Sequence, residues 1–217
     1  KALPARLQPR RRPAQRRSKA LVDAIVEAGS RVLMARGWDR FTMNEVASVA
    51  GVSPGSLYQY FPDKESLVAE IVERQSQREL AFHLERFAQL PENATLGDTL
   101  DEVVRSLLAF QRAEGSLMRH TLASLQHLGR FESLKDKAQR AGEFLHAVLE
   151  RHRGALAGRD LDLVAHVLAN AVHSLTHDGI FPRPDTLDDD TLATELSRLM
   201  RGYLGLNQRS DVSPRTR

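Results

Sequence analysis

Two signals for the start of a helix stand close together in the chain, at Thr42 and at Ser53, with Gly51 between them. Thr42 followed three residues later by Glu45 is a capping box, and Ser53 followed directly by a proline is a second N-cap. Gly51 can adopt the left-handed backbone conformation that ends the first of these helices. The spacing therefore predicts two short helices joined by a tight turn, which is a helix-turn-helix.

A longer amphipathic helix precedes this pair. Apolar residues recur at helical spacing over residues 21–33, and Gly37 lies where that helix would end. The small Ala47 would allow the two short helices to cross closely, and we expect Val52 and Leu57 to pack against the first helix. Their expected neighbours are Ile25, Val32 and Phe41.

The second short helix has one buried side and one exposed side. Leu57 and Phe61, four residues apart, occupy the buried side, so we expect Tyr58 and Tyr60 on the flanks of the exposed face. The second helix of a helix-turn-helix enters the major groove of DNA. Both tyrosine hydroxyls, together with Lys64 in the next helix, could then hold DNA phosphates.

Helical spacing continues through the rest of the chain, where strand-like alternation is absent. A fourth helix begins after a cap at Asp63 and reaches about residue 89, and Gly115 is expected to separate two of the later helices. Those later helices are predicted near residues 96–113, 116–128, 131–153, 160–178 and 187–205. The predicted fold class is all-α, with about nine helices.

The charge of the chain is uneven. The net charge is +3, but residues 1–22 hold eight basic residues and no acidic one, which leaves −5 for the remainder. Three prolines among the arginines predict a disordered basic arm over residues 1–17, and a disordered tail is predicted over residues 207–217. The arm would suit a polyanionic partner such as DNA; a solubilising tail is the alternative.

Composition excludes several classes of protein. The chain has no cysteine, so disulfides and thiolate metal sites are excluded. No apolar run approaches the ~18–20 residues that a membrane span needs, and no apolar stretch follows the N-terminal arginines as in a secretory signal. We therefore predict a cytoplasmic protein with no membrane partner and no cofactor.

The stretch FTMNEVASVAGVSPGSLYQYFPDKESLVAEIV, residues 41–72, resembles the DNA-binding signature of the TetR family of transcriptional repressors. The resemblance implies a helix-turn-helix domain over residues 18–62 and a helical ligand-binding and dimerisation domain over residues 63–206. It also implies a homodimer that binds a palindromic DNA operator. A small-molecule ligand would release that dimer by tilting the helix that begins near Lys64.

Carried onto matching positions, the resemblance implies a set of DNA contacts. Thr42 and Asn44 would lie at a phosphate, and Tyr58, Tyr60 and Lys64 would hold others. The residues facing base edges would be Pro54, Gly55, Ser56 and Gln59. The remaining predicted DNA contacts are the helix cap Ser53 and five arginines of the arm: Arg10, Arg11, Arg12, Arg16 and Arg17. Since family members often carry a lysine or arginine in place of this proline, we expect sparse direct readout and more reliance on DNA shape and the arm.

The resemblance further implies a ligand cavity and a dimer interface. The predicted pocket residues are mostly apolar with a few polar members: Leu107, Phe110, Gln111, Met118, Thr121, Leu122, Leu125 and Phe144. The last two helices would pair with their copies through Leu161, Val164, Leu168, Val172, Leu175, Leu192, Leu196 and Leu199. Both sets have the same alternative, which is an ordinary intramolecular core.

Other interpretations stay open. His166, His173 and His177 share one helical face, where a metal site is possible but hydrogen-bonded histidines are the favoured interpretation, so we predict no metal site. A transcriptional activator or an effector-independent DNA-binding protein of the same fold are alternatives to a repressor. An α-helical enzyme is disfavoured, because the sequence holds no nucleophile elbow, HExxH, P-loop or GxGxxG motif.

Overall fold

The computed structural model describes residues 16–127, 131–176 and 188–206, and within these ranges every regular element is a helix. The helices are α1 (Arg16–Arg40), α2 (Met43–Ala50), α3 (Pro54–Tyr60), α4 (Lys64–Ala88), α5 (Leu96–His127), α6 (Phe131–Glu150), a 3-10 helix (Arg153–Leu156), α7 (Leu161–Thr176) and α8 (Asp189–Leu204). The all-α prediction is confirmed.

The chain forms two compact units. The first consists of the described residues of Lys1–Ala81 and Ala113–Lys135, and the second of those of Phe82–Arg112 and Asp136–Arg217. Helices α4 and α5 each contribute residues to both units. The first unit therefore contains the complete helix-turn-helix, together with the first part of α4.

The apolar side of α1 organises the core of the first unit. Ile25 and Leu33 are fully buried there, in one cluster with Leu57 of α3 and Leu67 of α4. The neighbours predicted from sequence belong to the same cluster, where Ile25, Val32, Phe41, Ala47 and Leu57 are buried and Val52 is partly buried. Gly37, where the helix was predicted to end, interrupts α1 with a φ of 69° and a ψ of 176°, and a short helical segment follows to Arg40.

The core of the second unit comes from α5, α6, α7 and α8. Its fully buried side chains include Leu100, Leu149, Leu168 and Met200. The N-terminus of α8 is capped by Asp188, whose carboxylate accepts the Thr191 N–H at 2.7 Å.

One helix boundary predicted from sequence is wrong. Gly115 does not separate two helices, because α5 continues without interruption from Leu96 to His127. A glycine inside a helix costs only about 1 kcal/mol relative to alanine, which the packing of a long amphipathic helix can outweigh. Between α6 and α7 the chain passes through the 3-10 helix and a turn in which Gly158 has a φ of 81°.

Polar pairs support both units. In the second unit the buried carboxylate of Glu102 accepts hydrogen bonds from Arg86 and from Arg105, and Arg201 holds Asp101 with two hydrogen bonds of 3.2 and 2.6 Å. In the first unit Arg74 bridges Glu70 and Asp23. None of the helices in the described ranges is both long and apolar enough to cross a membrane.

Candidate nucleic-acid interface

The turn between α2 and α3 is fixed by its own backbone. Gly51 ends α2 in the left-handed conformation, with a φ of 68° and a ψ of 32°, and its N–H donates to the Ser48 carbonyl at 3.2 Å. The Val52 N–H donates to the Ala47 carbonyl at 3.0 Å. A Cβ added to Gly51 would meet no atom within 4 Å, so the backbone conformation, and not space, requires glycine here.

Both predicted caps at the start of these short helices are present. Thr42 Oγ1 accepts the Glu45 N–H at 3.3 Å, and Ser53 Oγ accepts the Ser56 N–H at 3.1 Å. The Glu45 carboxylate accepts a hydrogen bond from Arg36 Nε of α1 at 2.9 Å, so α2 is also tied to α1. The two N-caps confirm where α2 and α3 begin.

The first turn of α3 offers few side-chain groups to a partner. Pro54 and Gly55 are exposed but carry no polar side chain, and the hydroxyl of Ser56 lies 2.8 Å from that of Ser53. Gln59 is exposed on the same helix and carries both amide donors and an acceptor. Thr42, the N-cap of α2, and Asn44, in the first turn of α2, are also exposed.

The two tyrosines of α3 differ in exposure. Tyr58 is 41% exposed, as expected for the outer face, but Tyr60 is only 8% exposed and belongs to the core cluster of the first unit. The prediction that Tyr60 flanks the exposed face is wrong. Tyr60 lies three residues after Leu57, and side chains three apart share a helical face as closely as side chains four apart.

Lys64 begins α4 directly after the predicted cap at Asp63. Asp63 Oδ1 accepts the Ser66 N–H at 2.7 Å, and the Asp63 N–H donates back to Ser66 Oγ at 3.4 Å, so a serine replaces the usual glutamate of a capping box. The ammonium of Lys64 lies 4.3 Å from the ring centroid of Trp38, and its Nζ is 3.5 Å from the Trp38 carbonyl. Trp38 was not predicted from the sequence as a residue of this site.

The predicted arm falls largely outside the description. Arg10, Arg11 and Arg12 lie outside the described residues, as does the predicted tail at residues 207–217. Arg16 and Arg17 are the first two residues of α1, which begins before the predicted boundary at Ser18, and only their backbone is described. The role of the arm stays a prediction.

The predicted pocket residues of the second unit lie around a cluster of rings. Phe110 is buried and Phe144 is partly buried, with ring centroids 6.0 and 6.1 Å from that of His83. His83 is itself buried, and its Nδ1 lies 3.1 Å from the hydroxyl of Ser106. Phe82 and Phe87 of α4 complete the cluster. Leu107 packs against the core of this unit, and Gln111 is partly buried.

His83 and Ser106 were not predicted from the sequence. The available signal is the placement of His83 four residues before Phe87, on the buried side of α4.

Thr121 belongs to the first unit. It is buried and donates a hydrogen bond of 2.7 Å to Gln75 Oε1. The Gln75 amide nitrogen is also buried and has no hydrogen-bond partner among the described residues. The side chains of Met118, Leu122 and Leu125 are outside the description. The pocket as a whole therefore stays a prediction.

Most residues predicted for the dimer interface are already buried inside one chain. These core residues are Leu161, Val164, Leu168, Val172, Leu192 and Leu196. They cannot form the surface of an interface, so that part of the prediction is wrong, and only Leu175 and Leu199 of the predicted set are exposed. The other large exposed apolar side chains of α7 and α8 are Leu163, Val167 and Tyr203. The periodicity of the sequence correctly indicated an apolar stripe on these helices. It does not contain the information whether that stripe packs against the core of the same chain or against a second copy.

In the part of the chain that is described, the histidines of α7 are not arranged as metal ligands. His166 is exposed and Asn170 Nδ2 donates to its carbonyl at 2.8 Å, whereas His173 is partly buried. His177 lies outside the described residues. No group of three metal-ligating side chains occurs among the residues searched.

Known proteins resemble the chain in both sequence and fold. Two protein-family sequence models match the chain. The model for bacterial regulatory proteins of the tetR family matches residues 25–71, and the model for the Tetracyclin repressor-like C-terminal domain matches residues 95–204. An uncharacterized HTH-type transcriptional regulator from Mycobacterium bovis is 28% identical over 186 residues, which cover 83% of this chain and 92% of the relative.

Two solved structures extend the comparison of folds. A Mesorhizobium loti protein assigned to the TetR-family transcriptional regulators has a TM-score of 0.73 at 22% identity, over 88% of this chain and 98% of its own. SmeT, the repressor of the Stenotrophomonas maltophilia multidrug efflux pump SmeDEF, has a TM-score of 0.65 at 19% identity, over 88% of this chain and 95% of its own. The chain belongs to the TetR family of transcriptional regulators.

Proposed function

We propose that this regulator is a cytoplasmic repressor that binds a palindromic operator as a homodimer and leaves it when a small molecule binds. The observation that carries the proposal is the doubly capped α2–α3 pair with Tyr58 and Gln59 exposed on α3. A rigid pair of this kind can place α3 in the major groove. SmeT is a repressor, which agrees with the proposed role. The proposal assigns no catalytic activity.

The phosphate contacts would come from the edges of this surface. Thr42 and Asn44 at the start of α2, Tyr58 on α3 and Lys64 on α4 would touch the DNA backbone. Tyr60 would act differently from the sequence expectation, because a buried ring can fix α3 in place but offers little surface to a phosphate. Such contacts set register and affinity, whereas sequence preference comes from base edges.

Base readout would rest mainly on Gln59. A glutamine amide can pair with both N6 and N7 of adenine, and good bidentate pairing discriminates by about 1–3 kcal/mol. The Ser56 hydroxyl is paired with Ser53, and the two residues before it have no polar side chain. We therefore expect Gln59→Ala to relax the preference at one position of each half-site, and Ser56→Ala to have a smaller effect.

The second copy would cover the apolar side chains left exposed on α7 and α8. These are Leu163, Val167, Leu175, Leu199 and Tyr203. Leu163 and Val167 are four residues apart on α7, and Leu199 and Tyr203 are four apart on α8, so each pair shares a helical face. Exposed apolar surface is typical of interaction sites. A two-fold dimer would match the two half-sites of a palindrome, which lie one turn of DNA, ~34 Å, apart.

The effector would bind in the ring cluster of the second unit. His83 and Ser106 supply polar groups within an otherwise aromatic surrounding, which is the usual make-up of a small-molecule site. Helix α4 carries both His83 and, in its first turn, Lys64. A ligand that shifts α4 would therefore displace a phosphate contact. Inverting a strongly biased operator-bound population needs about 5 kcal/mol of differential affinity.

The first test is selection of bound duplexes from random DNA. An enriched palindrome supports the proposal, whereas recovery without sequence preference would point to an effector-independent architectural protein. Transcription in vitro from a promoter carrying the enriched site then separates the two directions of control, because a repressor lowers the transcript level and an activator raises it.

The second test concerns release by a ligand. Small molecules that raise the thermal unfolding temperature of the protein are assayed for loss of operator affinity, with His83→Phe as the matched variant. The wild-type protein should release DNA on ligand addition, while His83→Phe should bind the operator equally well but respond less. Equal operator affinity with and without every stabilising compound would contradict ligand release.

A further inference from the structure

Trp38 is the only tryptophan of the chain, and it lies directly after Gly37, where α1 is kinked. Its ring is partly buried against the core of the first unit. Two contacts join it to Lys64, which follows 26 residues later: the ammonium lies 4.3 Å from the ring centroid and 3.5 Å from the backbone carbonyl of the same residue. An ammonium within about 6 Å of an indole centroid is attracted by the negative face of the ring.

We propose that Trp38 is a positioning residue, which holds the ammonium of Lys64 ready for a DNA phosphate. The proposal rests on the phosphate contact of Lys64 proposed above. It adds that the strength of this contact depends on a residue that need not touch the DNA.

The geometry leaves the ammonium able to bind a phosphate. A lysine ammonium has three N–H donors, so one hydrogen bond to the Trp38 carbonyl leaves two for phosphate oxygens. The flexible stem of a free lysine loses many rotamers on binding, and a stem held against a ring has already lost part of this freedom. Trp38 therefore reduces the entropy that Lys64 loses when it meets DNA.

Charge supports the same conclusion. Three other basic residues of the first unit form ion pairs with carboxylates: Arg36 with Glu45, Arg74 with Glu70 and Asp23, and Arg78 with Glu114. In the part of the chain that the structure describes, no carboxylate forms an ion pair with Lys64. Its partners are an aromatic face and a carbonyl, which orient the positive charge without cancelling it. A cation kept in this state attracts a phosphate more strongly than a paired one.

The test is a double-mutant cycle on DNA affinity with Trp38→Leu and Lys64→Ala. Mixed-sequence duplex DNA serves as the probe, because a phosphate contact does not depend on base sequence. Lys64→Ala should weaken binding and lower the slope of log affinity against log salt by about one unit. Trp38→Leu should weaken binding by about two- to five-fold in the wild-type background, in line with a partly exposed cation–π contact, and should have no further effect in the Lys64→Ala background.

Controls separate positioning from a structural role. Trp38→Phe keeps a ring and should lose less affinity than Trp38→Leu, whereas loss of packing alone would not follow the order of cation–π strength. Arg153→Gln removes one exposed positive charge from the second unit and should leave the salt slope unchanged. Thermal unfolding of each variant shows whether the fold is kept. Equal losses from Trp38→Leu in both backgrounds would overturn the proposal.

The fluorescence of Trp38 distinguishes failure of this inference from failure of the proposed DNA contact. Because Trp38 is the sole tryptophan, Lys64→Met should change the emission of the free protein, and an unchanged spectrum would refute the contact itself. If the emission changes but Lys64→Ala binds DNA as tightly as the wild type, the contact exists and the phosphate role of Lys64 is wrong. That result would also overturn the positioning role.

Discussion

The sharpest prediction concerns the surface through which two copies would associate. Leu163 and Leu168 lie on the same helix, α7, but in a single chain Leu163 is 57% exposed and Leu168 is 0% exposed. Leu163→Ala should therefore leave the folding of each chain almost unchanged and weaken the dimer. Leu168→Ala is the matched control. It should leave the dimer contact unchanged but lower the free energy of unfolding by about 2–5 kcal/mol, because it creates a cavity in the core.

The expected size of the dimer effect follows from the exposed fraction. Complete burial of a leucine side chain contributes about 1.5–3 kcal/mol, and burial of the exposed 57% of Leu163 would contribute about 1–1.7 kcal/mol. Both copies of the residue change in a homodimer. Allowing for the methyl group that alanine retains, Leu163→Ala should cost the dimer about 2 kcal/mol, which raises the dimer dissociation constant about thirty-fold.

Sedimentation equilibrium over a range of protein concentrations measures this constant directly. Urea unfolding at one fixed protein concentration, low enough for the variant to be monomeric, gives the free energy of unfolding of each chain. The reasoning is refuted if Leu163→Ala keeps the wild-type dissociation constant within about two-fold. In that case the second copy, if one binds, must cover a different surface.

Two further predictions concern the second unit. Partial burial and the nearby Arg151 lower the pKa of His152 below its ordinary value of 6.5, so the fold favours the neutral ring. Stability should therefore fall as the pH drops below about 6.5, and urea unfolding of His152→Gln should vary less with pH. A Cβ on Gly97 would collide with the guanidinium of Arg201, which Asp101 holds. Gly97→Ala should thus lower the urea midpoint, but not when Arg201→Ala is already present.

The beginnings of α2, α3 and α4 could be predicted from sequence because neighbouring residues determine them. Thr42, Ser53 and Asp63 each accept a hydrogen bond from an N–H three residues later, and Gly51 provides the backbone conformation that ends α2. These interactions need no information about distant parts of the chain. Helical spacing correctly placed Tyr58 on the exposed face, and Pro54 and Gln59, which the family resemblance implied would face base edges, are exposed as well.

The contact between Trp38 and Lys64 could not be predicted in this way. Its partner, Lys64, is 26 residues away, and only the packing of α1 against α4 in the first unit brings the ring under the ammonium. Gln75 and Thr121 are a second case, since their hydrogen bond joins residues 46 apart. Contacts between distant residues depend on how helices pack, and the periodicity of one helix does not contain that information.

Two errors at the candidate sites share one physical cause. Tyr60 and four of the five predicted residues of α7 were assigned to an outside partner, although they lie on the apolar stripe of their helix that is buried within the chain; the fifth, Leu175, is exposed. A chain buries its most apolar surface in its own core first, because that surface contributes most to folding. A partner then meets a second, weaker stripe. On α7 this second stripe carries Leu163 and Val167, each one residue away from a core position, Val164 and Leu168. A helix with two such stripes has more apolar surface than one unit can cover, and for α7 and α8 that excess is what a second copy would bury.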